Sequence, residues 1–192
     1  DPAAAVADAL ADRGVAVPDD WATAYGESHI DAPEGAEVPL PAHVSAALQD
    51  RGVDAPNNAP RRAVVSAFDP DVETRPGATE AVEAAHEYGP VGLLSNCSVP
   101  ELVGRTLIRS DVSRDDFDAV VSSVGCGWRK PDRRAFETVA RKLGVPVDRL
   151  VYVGDSPAVD GGIENCGGTF VDVTDTPLSR LPGRLDEVWP TR

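Results

Sequence analysis

The sequence predicts a parallel, doubly wound α/β sheet attached to a small all-helical region. Three observations carry this reading. From about residue 74 onward, four short and nearly continuous apolar runs alternate with helical patterns, as in a parallel sheet covered on both faces. Each run is closed by polar residues. Residues 1–73 hold helix patterns and turn-rich links but no convincing strand. The expected division is therefore a helical region, 1–73, and an α/β region, 74–192.

In the helical region, "AAAVADALADRG" reads as a helix ending at Gly14. "PDDWATAYGESHI" has an acidic first turn after Pro18, which suits a helix N-terminus. "LPAHVSAALQDRGV" and "APRRAVVSAF" read as two more helices, separated by the turn-rich link "DAPNNAP". Trp21, Tyr25, His29 and His43 read as packing and surface residues. In the α/β region, the helix "GATEAVEAAHEYG" leads to the apolar run "PVGLLSN", and the helix "PELVGRTLIR" leads to "FDAVVSS". In "PDRRAFETVARKLG", Ala135, Phe136, Val139, Ala140 and Leu143 follow the 3.6-residue period, and Gly144 is a natural stop. "RLVYVGDS" is a third strand, "GIENCGG" a short helix and "TFVDV" a fourth strand. The tail "TPLSRLPGRLDEVWP" reads as a surface segment with one short helix.

Asp and Glu outnumber Lys and Arg by 32 to 18, for a net charge of −14. Such a chain repels nucleic acid and anionic membranes. Very low Lys with high Asp, Glu, Ala and Val resembles proteins from cells that keep molar salt inside, or acidic products of a high-GC genome. No apolar run approaches about 18 residues, and no charged n-region with an apolar h-region opens the sequence. The three cysteines, Cys97, Cys126 and Cys166, are odd in number and not closely spaced. They signal neither a disulfide framework nor a zinc knuckle, and they fit a reducing cytoplasm. An anionic substrate would meet a repulsive global field, so its site needs a local cation or a metal.

Two lysines stand against sixteen arginines, and one of them, Lys130, lies between Arg129 and Pro131 at a helix start. Lysine is a compact point charge where arginine is a planar fork. In open α/β sheets, ligands bind beyond the carboxyl ends of the strands. There the sequence places Ser95, Asn96, Cys97 and Ser98 after one run, and Gly154, Asp155 and Ser156 after another, with Asp160 five residues past Asp155. Each has a plainer reading. Ser98-x-x-Glu101 has the form of a capping box, Asp155 that of an N-cap, Asp160 that of a solvated face and Lys130 that of a surface charge. Together they make chemical sense. Hydroxyl and backbone donors at a helix start hold phosphate oxygens, lysine supplies charge where phosphoryl transfer builds it, and paired aspartates suit Mg²⁺.

The segments "LLSN", "RKPDRRAF" and "VYVGDSPAVDGGIENCGG" resemble the second, third and fourth motifs of the haloacid dehalogenase superfamily, in its phosphoglycolate-phosphatase-like branch. The likeness covers about residues 74–173. It implies a Rossmann-like core with residues 1–73 as a helical cap, and "RPGATEAVEAA" matches the return from cap to core. It further implies a Mg²⁺-dependent hydrolase that forms an aspartyl-phosphate from a small phosphorylated metabolite. Ser95 and Asn96 would bind the phosphoryl group and Lys130 would bridge phosphate and nucleophile. Asp155 would bind Mg²⁺, and Asp160 would support the metal directly or through water.

The family's first motif, Asp-x-Asp-x-Thr/Val at the end of a first strand, has no counterpart here. Asp1 follows no strand, and no second Asp stands two residues on. The expectation is that one central strand, between those ending at Ser95 and Asp155, is absent, and that the 192 residues alone are inactive. Three alternatives remain on the sequence: a metal-free dehalogenase of the same fold, a non-catalytic binding protein, and a flavodoxin-like or receiver-type domain.

Overall fold

The computed structural model describes residues 1–56 and 58–189. Asn57 of the turn-rich link and Pro190 of the tail lie outside the described residues. Four helices form the first part: α1 (Pro2–Ala11), α2 (Trp21–Gly26), α3 (Leu40–Asp50) and α4 (Ala59–Ala67). The Asp1 carboxylate caps α1 by accepting the Ala3 N–H at 2.9 Å. Ala3, Val6, Ala9 and Leu10 make one buried stripe on α1, and Val44, Ala47 and Leu48 make another on α3. α4 packs against both helices and adds Ala63 and Val64. The Trp21 indole N–H donates to the Ala3 carbonyl at 2.8 Å, which ties α2 to α1. Trp21, Tyr25, His43 and His29 stack in sequence on one another, with ring centroids 5.5–5.8 Å apart. The apolar cluster of these helices does not stop at their own residues, for it includes Val99 from the far part of the chain.

The second part alternates α5 (Ala78–His86), β1 (Gly92–Ser95), α6 (Leu102–Arg109), β2 (Ala119–Ser122), α7 (Ser123–Cys126), α8 (Arg133–Leu143), β3 (Val151–Gly154), a 3₁₀ turn (Asp160–Cys166), β4 (Thr169–Asp172) and α9 (Leu181–Val188). All four apolar runs become strands. α8 is the best-defined helix: Asp132 caps it through the Arg134 N–H at 2.9 Å, Gly144 ends it at φ 71°, and Ala135, Phe136, Val139 and Ala140 are buried. It lies across β1, β2 and the 3₁₀ turn. α6 departs from expectation, because the capping box of Ser98 and Glu101 does not form. Glu101 itself occupies the cap position at φ 67°, with no side-chain capping bond. Its carboxylate pairs with Arg61, and the Ser98 carbonyl accepts the Leu40 N–H at 2.9 Å.

The sheet is parallel but divided. β1 pairs with β2, Gly92 opposite Ala119 through Ser95 opposite Ser122. β3 pairs with β4, Val151 opposite Thr169 through Gly154 opposite Asp172. Hydrogen-bond parity locates the free edges. The Val91 carbonyl accepts from Asp118 on the β2 side, so the backbone groups of Gly92 and Leu94 point away from β2. The Leu150 and Gly154 carbonyls accept from the β4 side, so those of Val151 and Val153 point away from β4. Among the described residues no strand lies between β1 and β3, where the sequence reading expects an absent one. A side chain spans the gap instead: the Tyr152 hydroxyl on β3 donates to the Leu94 carbonyl on β1 at 2.8 Å. No helix among the described residues is long and apolar enough to cross a membrane.

Candidate active site

Lys130, Asp160 and the turns after β1 and β3 meet at the carboxyl ends of those two strands. Lys130 is a buried cation, its side chain 9% exposed, and its Nζ donates to Asp160 Oδ1 at 2.6 Å. The Asp160 side chain is 6% exposed, so neither group is the solvated charge of the plainer reading. Nζ also donates to the Tyr152 hydroxyl at 2.5 Å and stands 4.8 Å from the centre of that ring. The Tyr152 ring meets Phe136 of α8 edge-on. Burial, reinforced by the Asp160 and Asp155 carboxylates, pushes the Tyr152 phenol well above its ordinary value. The phenol therefore stays neutral, accepting from Lys130 while donating to Leu94.

The second oxygen of Asp160 accepts the backbone N–H groups of Asp155 and Ser156, each at 3.1 Å. One carboxylate thus fixes both the lysine and the turn after β3. The approach is so close that a Cβ on Gly154 would overlap the Asp160 carboxylate, which accounts for a glycine at the strand end. The same 3₁₀ turn seats Gly162 on Pro131, where a Cβ would come within 2.6 Å of the proline ring. The 3₁₀ turn that carries Asp160 and the loop that carries Lys130 come together at that contact.

Asn96 holds Lys130 from the other side. Its Nδ2 donates to the Lys130 carbonyl at 2.9 Å, and its Oδ1 accepts the Lys130 N–H at 2.8 Å. The Asn96 side chain is thereby committed to the backbone. Ser95, half-buried at the end of β1, leads into that turn. Asp155 is exposed, and its Oδ2 lies 3.1 Å from the guanidinium of Arg75, itself 65% exposed. The thiols of Cys97, Cys126 and Cys166 are free. Cys97 donates to the Val99 carbonyl at 3.3 Å, and burial raises its pKa.

Hydrogen bonds therefore join Asn96, Lys130 and Asp160, with Ser95 directly before Asn96 and Asp155 on the turn that Asp160 holds. The sequence reading does not single out Tyr152 or Arg75, nor Glu37 and Ser123, which hold the Cys97 N–H through a Glu37–Ser123 hydrogen bond. A signal for Tyr152 is its polar tip inside the apolar run "LVYV", since a buried tyrosine hydroxyl finds a partner.

The donor set can be weighed against Mg²⁺. Among the described residues there is no cluster of three or more His, Cys, Asp or Glu side chains placed to hold a metal. Mg²⁺ commonly takes one or two carboxylates and completes its shell with water and phosphate oxygens. Asp155 fits that role, since its partner is an exposed arginine. Asp160, with both oxygens engaged by protein donors, fits the supporting role.

A curated protein named Phosphatase MT3486, from Mycobacterium tuberculosis (strain CDC 1551 / Oshkosh), is 36% identical over 81 residues. That match covers 42% of this chain and 37% of the relative's length. The crystal structure of a 2-haloacid dehalogenase from Pseudomonas syringae pv. Tomato DC3000 superposes with a TM-score of 0.63 at 18% identity, covering 97% of this chain and 91% of that one. A hydrolase from Pseudomonas syringae superposes with a TM-score of 0.51 at 16% identity, covering 97% and 90%. At these identities the two structures establish the fold. The sequence model of the haloacid dehalogenase-like hydrolases matches residues 3–165, and the chain belongs to that family.

Proposed function

We propose that this site serves Mg²⁺-dependent hydrolysis of a small phosphomonoester in the cytoplasm, with residues 1–73 acting as a cap over the core. The observation that carries the reading is the buried Lys130, held at two strand ends by Asp160, Tyr152 and Asn96. A buried ammonium held by two side chains, on a backbone clamped by Asn96, is a pre-organised charge, and pre-organised charge stabilises negative charge that builds during reaction. Ser95 and the backbone N–H of Asn96 hold the phosphoryl oxygens. Lys130 neutralises them, Asp160 fixes Lys130, and Asp155 is the direct metal ligand. A bound Mg²⁺ would add charge neutralisation and orientation of the phosphate. The phosphatase named above supports the choice of phosphomonoester over its length of similarity.

One observation favours a second reading, a metal-free dehalogenase of the same fold: both oxygens of Asp160 are already taken. Titration calorimetry with Mg²⁺ and inorganic phosphate separates the two. The phosphatase reading expects phosphate binding that needs Mg²⁺, is abolished by Asp155→Asn and Lys130→Met, and weakens with Ser95→Ala. Binding of a 2-haloacid that is insensitive to chelator, with no Mg²⁺-dependent phosphate binding, would replace it with the second reading.

A further inference from the structure

One segment of the helical region that reaches the site is residues 34–37, between α2 and α3. That segment lies against the loop that carries Lys130. The Arg129 N–H donates to the Gly35 carbonyl and the Glu37 N–H to the Gly127 carbonyl, both at 2.9 Å, with Ala36 and Trp128 forming an antiparallel bridge. Gly35 has φ 78°, and a Cβ there would overlap the Asp132 side chain. Arg134 lies 3.2 Å above the Trp128 ring and donates to the Glu34 carbonyl at 3.2 Å. The segment is therefore fastened at each residue from 34 to 37.

The Glu37 side chain then continues inward. Its carboxylate accepts the hydroxyl of Ser123, a residue with no solvent exposure at the start of α7. The Ser123 Oγ in turn accepts the backbone N–H of Cys97 at 2.8 Å. The direction of this relay is set by charge. An ionised carboxylate only accepts, so the serine proton must point to Glu37 and a serine lone pair is left for Cys97. The Cys97 carbonyl accepts the Val124 N–H at 3.2 Å, and the preceding residue, Asn96, grips both backbone groups of Lys130. The Ser95–Cys97 turn is thus held on one side by the Lys130 loop and on the other by a carboxylate from the helical region.

We infer that Glu37, acting through Ser123, is a positioning residue that fixes the turn offered to the phosphoryl group. This rests on the phosphate-binding reading above. The role is distinct from fold maintenance, because the relay ends on one backbone N–H next to the candidate ligand groups and not in the apolar core.

Amide hydrogen exchange and phosphate calorimetry together test it. In Glu37→Ala, exchange at the Cys97 amide is expected to rise roughly tenfold, the scale of losing one charge-assisted hydrogen bond. Exchange at Val139 and Ala140 in α8 stays unchanged and reports that the variant is folded. Affinity for inorganic phosphate in the presence of Mg²⁺ falls several-fold. Glu37→Gln, whose amide oxygen still accepts, restores both readings. Ser123→Ala breaks the relay from its other end and matches Glu37→Ala.

Unchanged exchange at Cys97 in Glu37→Ala overturns the inference, whatever Ser123→Ala does, because Ser123 is itself the acceptor of that N–H. So does raised exchange with phosphate affinity held at the wild-type value, which would make the segment a structural brace alone. If the wild-type protein binds no phosphate, the proposed function fails. The exchange result then decides by itself whether Glu37 fixes the turn.

Discussion

Replacing Asp160 with alanine is expected to be among the most damaging single changes in the α/β region. The Asp160 and Lys130 side chains are 6% and 9% exposed, and their charges meet at 2.6 Å. Removing one member of such a pair strands the other charge away from water, at a cost of about 3–5 kcal/mol. Tyr152 remains as a neutral acceptor for Nζ and offsets a small part of this. The freed N–H groups of Asp155 and Ser156 lie on an accessible turn, where water can replace the lost acceptor. The expected loss is therefore about 4 kcal/mol, a large share of the roughly 5–15 kcal/mol that holds a domain folded. Denaturant unfolding of wild type, Asp160→Ala, Lys130→Met and the double variant measures it. Lys130→Met leaves Asp160 with its two backbone donors and is expected to cost less. The double variant should be more stable than Asp160→Ala alone, because it strands no charge. A loss under about 1 kcal/mol in Asp160→Ala, or strict additivity in the double variant, would refute the idea that these charges depend on one another.

Tyr152→Phe leaves the Leu94 carbonyl without its donor and Lys130 with Asp160 as its remaining side-chain acceptor, so unfolding should show a loss of about 1–3 kcal/mol; a loss near zero would mean that the slot between β1 and β3 is wet. Because burial raises the Tyr152 phenol, the difference in ultraviolet titration between wild type and Tyr152→Phe should show this tyrosine still protonated well above pH 10, and stability should fall as pH climbs past the ordinary tyrosine value, since only the unfolded chain then ionises. Both ring nitrogens of His29 face acceptors at 2.6 Å, the Ala24 carbonyl and the Asp50 carboxylate. The carbonyl first and then the carboxylate, aided by Glu27, raise its pKa. Its stabilising contribution is therefore complete below about pH 6.5, the ordinary histidine value, and is lost as pH rises through the higher folded value; the unfolding midpoint should drift down across that range in wild type and stay flat in His29→Gln. Arg75→Ala removes the cation that holds Asp155, and calorimetry should show Mg²⁺ binding tighter by up to about fivefold, the reach of an exposed ion pair. Weaker binding would mean that Arg75 assists the metal site.

Much of the fold is legible because its signals are local. The apolar runs ending at Ser95 and Gly154 are short, continuous and closed by polar residues, and both became parallel strands. The α8 stripe repeats at the helical period and stops at a glycine whose left-handed conformation only the end of a helix requires. The candidate site was legible for a related reason: Ser95, Asn96, Lys130, Asp155 and Asp160 each stand at the end of a strand or the start of a turn or helix. The groups that hold those residues were not legible. Glu37 and Ser123 are 86 positions apart, and Arg75 and Asp155 are 80 apart, so no periodicity or spacing links them. Tyr152 counts as an apolar strand residue until its hydroxyl is seen to cross to Leu94. The failed capping box at Ser98 has the same origin, because Arg61 and Leu40 come from the helical region to claim Glu101 and the Ser98 carbonyl.

The central claim is that a phosphoryl group and a divalent cation meet between Ser95, Lys130 and Asp155. A crystal soaked with inorganic phosphate and Mn²⁺, with the manganese located by its anomalous signal, tests this most directly. The expected result is a phosphate against the Ser95 turn and Lys130, with manganese on Asp155 and Arg75 displaced from that carboxylate. Phosphate and manganese bound elsewhere, with the Arg75–Asp155 pair intact in a fully soaked crystal, would contradict it.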